Sequence, residues 1–460
     1  MSSIIQQLQN GTELSCSAGR LRIKELIGAG GQGEVYAVEL NSKKYAFKYY
    51  YPESCSNVFK SNIKSLVDNP VESKSFAWPL YFVDNGTSFG YVMDLIPKGF
   101  SSISEWVGGK VNTTLDVLIK ACANLCEAFH ELHALGYSYK DISNTNVSFN
   151  PKTGDVLILD NDNVTPNLAT APVLGTHKFM APEIVSGNKK KPDRLSDLHS
   201  LAVLLFHMLF AEHPLEGLRE YNMDIGLMDP KENERANKIL YGHESAQFIF
   251  ADPYDLNRYI CVQESSHVSA RENWKMYPQF IRNLFIKAFV DGIKDPFARP
   301  QTQHWLDAFI QLYGMIYKCD SCGYPLIYDN DYFKLCHFNR EKPKCKRCNR
   351  ALIVPRIGIP KRDNVTAILN DEEKKKKPKN VIAISNGTEL VAGFFDEIKR
   401  YTWYDVLLKA RLEGGRLSFI NVAGVHLVVN GKIVGMNQSS DYITVATEIY
   451  IEGLPCKIAF

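Results

Sequence analysis

Between residues 20 and 97, apolar and polar positions alternate in short runs: LRIKELIG, GEVYAVEL, KKYAFKYY, WPLYFVDNG and SFGYVMDLIP. Period-two alternation broken by turn residues predicts strands. One stretch departs from it: Ser54 to Val67 carries Val58, Phe59, Ile63, Leu66 and Val67 at helical spacing and predicts one amphipathic helix. From about residue 98 the period becomes helical. TLDVLIKACANLCEAFHELHALG predicts a long helix closed by Gly136, and Trp274 to Ile316 is again helix-rich. LAVLLFHMLFA, Leu201 to Ala211, is far short of the roughly 20 apolar residues that span a bilayer, so it is read as a buried helix. The last eighty residues return to strands in VIAIS, LSFINV, VHLVVNGKIV, DYITVAT, EIYIEG and CKIAF, with Asn430-Gly431 as a hairpin turn. No repeat at solenoid periods is visible.

These patterns divide the chain into an N-terminal segment 1–19, a β-rich lobe 20–97, a helical lobe 98–315, a cysteine module 316–355, a charged linker 356–380 and a β domain 381–460. The 460 residues exceed one ordinary domain, and 45% hydrophobic with 23% charged residues is a globular composition. A formal net charge of +2 singles out no partner class. The N-terminus lacks a basic start followed by an apolar run, so a cytoplasmic protein that spans no membrane is expected. Eleven cysteines then suggest a reducing compartment in which paired thiols hold metal.

Candidate chemistry begins at Gly28-Ala29-Gly30-Gly31-Gln32-Gly33-Glu34-Val35, which fits G-x-G-x-x-G-x-V. A glycine-rich hairpin would look the same. A dinucleotide site needs a helix after the last glycine; the strand VYAVEL follows instead, which favours a loop folded over a triphosphate. Thirteen residues after Val35, Lys48 lies on the third predicted strand, where an ammonium can meet phosphates. In YKDISNTN, Asp141 precedes Asn146 by five places: one carboxylate to take a hydroxyl proton, one amide oxygen to help hold Mg²⁺. Fourteen residues on, Asp160 ends the apolar strand VLILD, where a carboxylate can reach a metal bridging phosphates.

Four such pieces in this order resemble the protein kinase family, over roughly residues 20 to 315. Ala181-Pro182-Glu183, Gly175-Thr176 before it, Asp197-Leu198-His199-Ser200 and Arg299 in FARP extend the resemblance. It implies an α+β bilobal kinase fold and a catalytic set of Asp141, Lys48, Asn146 and Asp160. It also implies ATP with Mg²⁺ (or Mn²⁺) on Asn146 and Asp160, and nucleotide contacts from Gly28, Gly30, Gly33, Val35, Ala46, Lys48, Asp94 and Ile96. Arg299 is expected to pair with Glu183, and the Thr176 hydroxyl to bond near Asp141 as in Ser/Thr kinases.

Departures from the family pattern weigh against full activity. The usual H-R-D is Tyr139-Lys140-Asp141, and Lys140 lacks the planar fork that binds phosphate bidentately, so control by a phosphorylated activation loop is not expected. Ser143 stands where Ser/Thr kinases carry a lysine, and D-F-G is Asp160-Asn161-Asp162, in which Asp162 either supplies a second metal ligand or, the favoured reading, solvates the turn. No helix carboxylate is in place for Lys48: Glu53 is too early, Glu72 lies beyond the helix, and Asp68 sits at its end. Thr165, Thr170 and Thr176 lie in the expected activation segment.

Cys319-x-x-Cys322 and Cys345-x-x-Cys348 have zinc-ribbon spacing, two turns aiming paired thiolates at one structural Zn²⁺, with a rubredoxin-like iron as the rarer alternative and Cys336 and His337 read as bystanders rather than substitute ligands. From Lys334 to Lys379, fifteen Lys/Arg against five Asp/Glu give a local charge of +10. Few aromatics accompany it, so a solvated linker beside a protein-docking ribbon is favoured over nucleic-acid binding. The β tail faintly resembles a forkhead-associated domain, without its phosphothreonine-holding Arg and Ser. The layout is similar to bacterial kinases of the tellurite-resistance-associated type, which implies a metal-dependent phosphatase and a von Willebrand A protein as partners beside a protein substrate. The leading expectation is an active Ser/Thr protein kinase; the alternatives are an ATP-binding pseudokinase scaffold and a nucleic-acid-binding adaptor.

Overall fold

The computed structural model describes residues 7–169, 174–217, 220, 229–243, 245–251, 273–360, 379–395 and 402–459. Thr170 and residues 371–378 of the lysine-rich run lie outside them. Two compact units emerge.

In the first unit, six strands close into a barrel: β1 (Glu13–Cys16), β2 (Gly19–Ala29), β3 (Gly33–Leu40), β4 (Lys43–Tyr50), β5 (Tyr81–Asp84) and β6 (Phe89–Met93). Their order is β1-β2-β3-β4-β6-β5, and Cys16 opposite Val83 joins the two ends, so no edge strand is left open. The inward positions Leu21, Ile23, Tyr36, Val38, Leu40, Phe47, Val83 and Val92 fill the interior, with Leu8 against them. The lobe therefore begins before residue 20: β1 falls inside the span read as an N-terminal segment, because ELSC is short and its partner strands supply most of its environment. The predicted amphipathic helix is α1, Asn57–Asp68. Ser56 caps it by accepting from the Phe59 amide at 3.1 Å, and Phe59, Ile63 and Leu66 form its buried face.

The helical part of this unit is organised by Arg194–Phe210, which contains the apolar run and is buried over most of its length. Asp193 caps it by accepting from Leu195 and Ser196. Phe206 packs against Phe210, Phe248, Phe285 and Phe289. The expected long helix is Leu115–Ala134, of which the part from Asn124 onward belongs to this unit, and Gly136 beyond it takes φ +82°, a region that penalises a Cβ. Arg299 is fully buried and grips Glu183 bidentately at 2.9 and 2.7 Å, as the family resemblance implies.

The second unit contains the cysteine module and the β-rich tail. Its larger sheet runs Lys379–Ala383, Arg356–Pro360, Leu454–Ala459, Ile449–Ile451, Leu427–Val429, Lys432–Val434. A second sheet runs Glu389–Val391, Val406–Glu413, Arg416–Asn421. Two sequence boundaries are thereby corrected. Arg356–Pro360, placed in the charged linker, is an interior strand of the larger sheet, and its neighbour begins at Lys379. RIGIP has only two large apolar residues, and its partner Leu454–Ala459 is a hundred residues away, so no local pattern marks it. The cysteine module also contains a helix, Asn330–Phe338. The Asn430-Gly431 hairpin stands as read, with both residues at positive φ.

Candidate active site

β4 presents Lys48 opposite Val35 on β3 and Tyr91 on β6. The glycine loop joins β2 to β3, and the Gly30 amide donates to the Gly33 carbonyl at 2.9 Å. Its glycines differ in what they permit. A Cβ on Gly33 would lie 2.3 Å from the Tyr49 carbonyl oxygen, so close strand approach alone requires glycine there. A Cβ on Gly30 would meet nothing within 4 Å, so the fold does not require glycine at that position. Ala46 is buried opposite Met93 at the end of β6, and Asp94 and Ile96 follow it, exposed.

The loop Tyr139–Asn146 is suspended from Asp197, a buried carboxylate on the helix Arg194–Phe210. Its two oxygens accept from the backbone amides of Tyr139 at 2.7 Å and Lys140 at 2.8 Å, and His133 Nε2 lies 3.1 Å away. Lys140 takes φ +72°, which turns the chain so that Asp141 faces the cleft. The Lys140 side chain runs inward, donating to the Thr165 hydroxyl and the Ala169 carbonyl. Burial lowers its pKa, since neither acceptor carries charge. This lysine is thus a tether for the segment after Asp160, consistent with the expectation that it does not receive a phosphate.

Asp141 Oδ1 accepts from Thr176 Oγ1 at 2.7 Å, and Oδ2 accepts from Asn146 Nδ2 at 3.0 Å. Burial raises the Asp141 pKa, while these two donors oppose the shift. Asn146 also donates to the Asp141 backbone carbonyl at 3.0 Å, fixing the loop's width. The Leu159 amide donates to the Asn146 carbonyl at 2.8 Å, which brings Asp160 beside the loop. Ser143 is fully buried, its hydroxyl 3.0 Å from that of Thr145, so it offers nothing to the cleft.

Beyond Asp160, the structure corrects the sequence reading. Asp162, expected to solvate the turn, is fully buried, and its Oδ2 accepts from Lys48 Nζ at 2.8 Å and from the Tyr50 hydroxyl. Lys48 also reaches Asp160 Oδ1 at 3.3 Å. Burial pulls the Lys48 pKa down, but the two carboxylates outweigh it and hold the ammonium charged. Glu53, Asp68 and Glu72 are all exposed. The contribution of α1 is Asn62, whose amide donates to the backbone carbonyls of Asp162 at 3.1 Å and Val164 at 3.0 Å. Tyr50 and Asn62 were not singled out from the sequence, and Asp162 was not read there as a partner of Lys48. The available signal was a second carboxylate in a turn flanked by apolar residues. Asn62→Ala is expected to lower stability by about 1–3 kcal/mol, because two interior carbonyls lose their donor. A chemical-denaturation midpoint measures it, and an unchanged midpoint would remove the link.

The family comparison decides the identity. The protein kinase domain model matches residues 21–255, just over half of the chain. The chain belongs to the protein kinase family. Among its relatives, the serine/threonine-protein kinase PknA of Mycobacterium tuberculosis is 25% identical over 217 residues, 44% of this chain and 49% of that protein. The serine/threonine-protein kinase pkn2 of Myxococcus xanthus is 26% identical over 218 residues, 43% of this chain and 25% of that protein. The probable serine/threonine-protein kinase PknB of Corynebacterium glutamicum is 24% identical over 215 residues, 44% of this chain and 33% of that protein. The match thus spans half or less of each of these relatives. In this kinase, membership implies ATP and a divalent metal, and the oxygen-rich pair Asn146 and Asp160 at the cleft suits a hard cation. No helix among the described residues is long and apolar enough to cross a membrane.

The cysteine module of the kinase brings Cys319, Cys322, Cys345 and Cys348 together, all four sulfurs within 4.8 Å of one another. Cys319 to Cys348 and Cys322 to Cys345 each measure 3.7 Å. A disulfide would need about 2.05 Å. A tetrahedron with metal–sulfur bonds of about 2.3 Å has edges of about 3.8 Å, so the donor set fits one tetrahedral metal. Cys336 and His337 are outside the cluster.

Proposed function

We propose that this kinase transfers the γ-phosphate of ATP to serine or threonine hydroxyls of protein substrates, autophosphorylation included, within a bacterial phospho-signalling system. The observation that carries this reading is the Asp141 carboxylate, held between the Thr176 hydroxyl at 2.7 Å and the Asn146 amide at 3.0 Å. So fixed, it can orient an incoming hydroxyl and accept its proton without searching rotamers. Lys48 binds the α/β-phosphates, Gly28, Gly30 and Gly33 bring backbone near them, and Val35, Ala46, Asp94 and Ile96 surround the purine. A Mg²⁺ or Mn²⁺ ion on Asn146 and Asp160 would neutralise charge on the phosphates. The zinc ribbon and the two-sheet tail act as docking modules, and the layout resemblance names a metal-dependent phosphatase and a von Willebrand A protein as further partners.

Ser143, turned into its own loop, withdraws one cation from the transferring phosphoryl group and supports a slow enzyme. The test is incubation of the purified chain with Mg²⁺ and γ-labelled ATP, alone and with a generic Ser/Thr substrate. Acid-stable label on serine or threonine is the expected result, and chelation of Mg²⁺ should abolish it. Nucleotide binding without any label would overturn the proposal and leave a nucleotide-binding scaffold.

A further inference from the structure

A phosphate-binding lysine on a flexible four-carbon stem is useful only if something holds it in place. The helix α1 cannot do so: its single carboxylate, Asp68, is its last residue and is exposed. Lys48 nonetheless has two carboxylates within reach, Asp162 Oδ2 at 2.8 Å and Asp160 Oδ1 at 3.3 Å. Their settings differ. The Asp160 side chain is 45% exposed and can turn to a metal in the cleft. That of Asp162 is 0% exposed and cannot.

Everything around Asp162 keeps it in place. Its Oδ2 also accepts from the buried Tyr50 hydroxyl, and Tyr50 is wedged against Phe59 of α1, ring centroids 4.8 Å apart. Asn62 holds the Asp162 carbonyl, and the neighbouring Asn161 amide donates to the carbonyls of Ala77 at 2.9 Å and Ile158 at 3.0 Å. Oδ1 is buried without a hydrogen-bond partner, and Lys48 is the one cation paired with Asp162 among the described residues. A buried carboxylate without a cation is strongly unfavourable, so charge balance binds Lys48 to this position.

We propose that Asp162 is the positioning residue for Lys48, doing from the turn after Asp160 what a helix carboxylate does elsewhere, so that the lysine's aim does not depend on any acidic side chain of α1. This rests on the nucleotide-binding part of the proposed function and not on phosphoryl transfer. With Asp160 holding a metal, Asp162 would still hold the Lys48 ammonium in place.

A double-mutant cycle on nucleotide affinity tests the coupling. The proteins are wild type, Asp162→Asn, Lys48→Met and the double variant. Each is titrated by calorimetry with Mg-ATP and with adenosine, which has no phosphates. Asparagine keeps the shape of Asp162 and an oxygen for Tyr50. Asp162→Asn should weaken ATP about tenfold, the scale of one charge-assisted contact, and leave adenosine unchanged. In the Lys48→Met background it should add nothing. Equal weakening of both ligands, a fully additive double variant, or an unaltered ATP affinity would each overturn the inference. Should Asp162→Asn not fold, Tyr50→Phe, which removes the second holder of the carboxylate, must weaken ATP but not adenosine, and unchanged ATP binding then counts against it. Wild type that binds ATP without transferring phosphate would remove the proposed activity and leave this assignment standing. Wild type that binds neither ligand would remove both.

Discussion

Asp160→Asn is expected to lower phosphoryl transfer by about 10²–10³-fold, the loss typical of removing one preorganised charge from a reacting centre. The substitution keeps the shape of the side chain and one acceptor oxygen but deletes its charge. Among the described residues, neither of the other carboxylates of the site is free to replace that charge. Asp141 is occupied by Thr176 and Asn146, and Asp162 is buried on Lys48 and Tyr50. Because Lys48 keeps Asp162 at 2.8 Å, the buried charge balance survives, and the denaturation midpoint should move little. Initial rates with γ-labelled ATP beside the wild type measure the effect. A variant within about threefold of wild type would exclude Asp160 from the reacting centre.

Cys345→Ser is expected to unfold the cysteine module and to release its metal. The module's buried cluster is small: Tyr317, Cys319, Leu326, Tyr328, Cys345, Leu352 and Val354, with Ala383 from the adjoining strand. Two of these residues belong to the four-cysteine cluster itself. A core of this size supplies little stability unaided, whereas a structural zinc contributes on the order of 10–16 kcal/mol. Elemental analysis should find one zinc per wild-type chain and none in the variant. Hydrogen exchange supplies the local readout, since the Cys319 amide bonds to the Tyr324 carbonyl at 3.0 Å and the Cys345 amide to that of Arg350 at 2.9 Å. Both should lose protection in the variant and on chelation. Retained zinc with intact protection would show that the sulfurs are not the metal's only hold.

Much of the active-site chemistry was visible in one dimension. Asp141 and Asn146 are five residues apart, an interval that puts both on one loop, where their side chains lie 3.0 Å apart. The paired Cys-x-x-Cys turns likewise carry their geometry in their spacing. Period-two and helical patterns marked β2, β3, β4 and α1 because each repeats over enough residues to outweigh accident. Short elements escaped. β1 and Arg356–Pro360 have four and five residues, and their burial comes from strands distant in sequence.

What the sequence by itself determined is therefore the set of chemical groups and their order along the chain: glycine loop, lysine, Asp–Asn loop, carboxylate, cysteine pairs. Local spacing is enough for these, because each is built on one turn, one strand or one loop. Only the tertiary structure decided which carboxylate serves Lys48. Asp162 is 114 residues away from it, and the choice was made by burial. A carboxylate enclosed by the barrel wall and α1 must find a cation, and among the described residues Lys48 is the one the fold brings within reach.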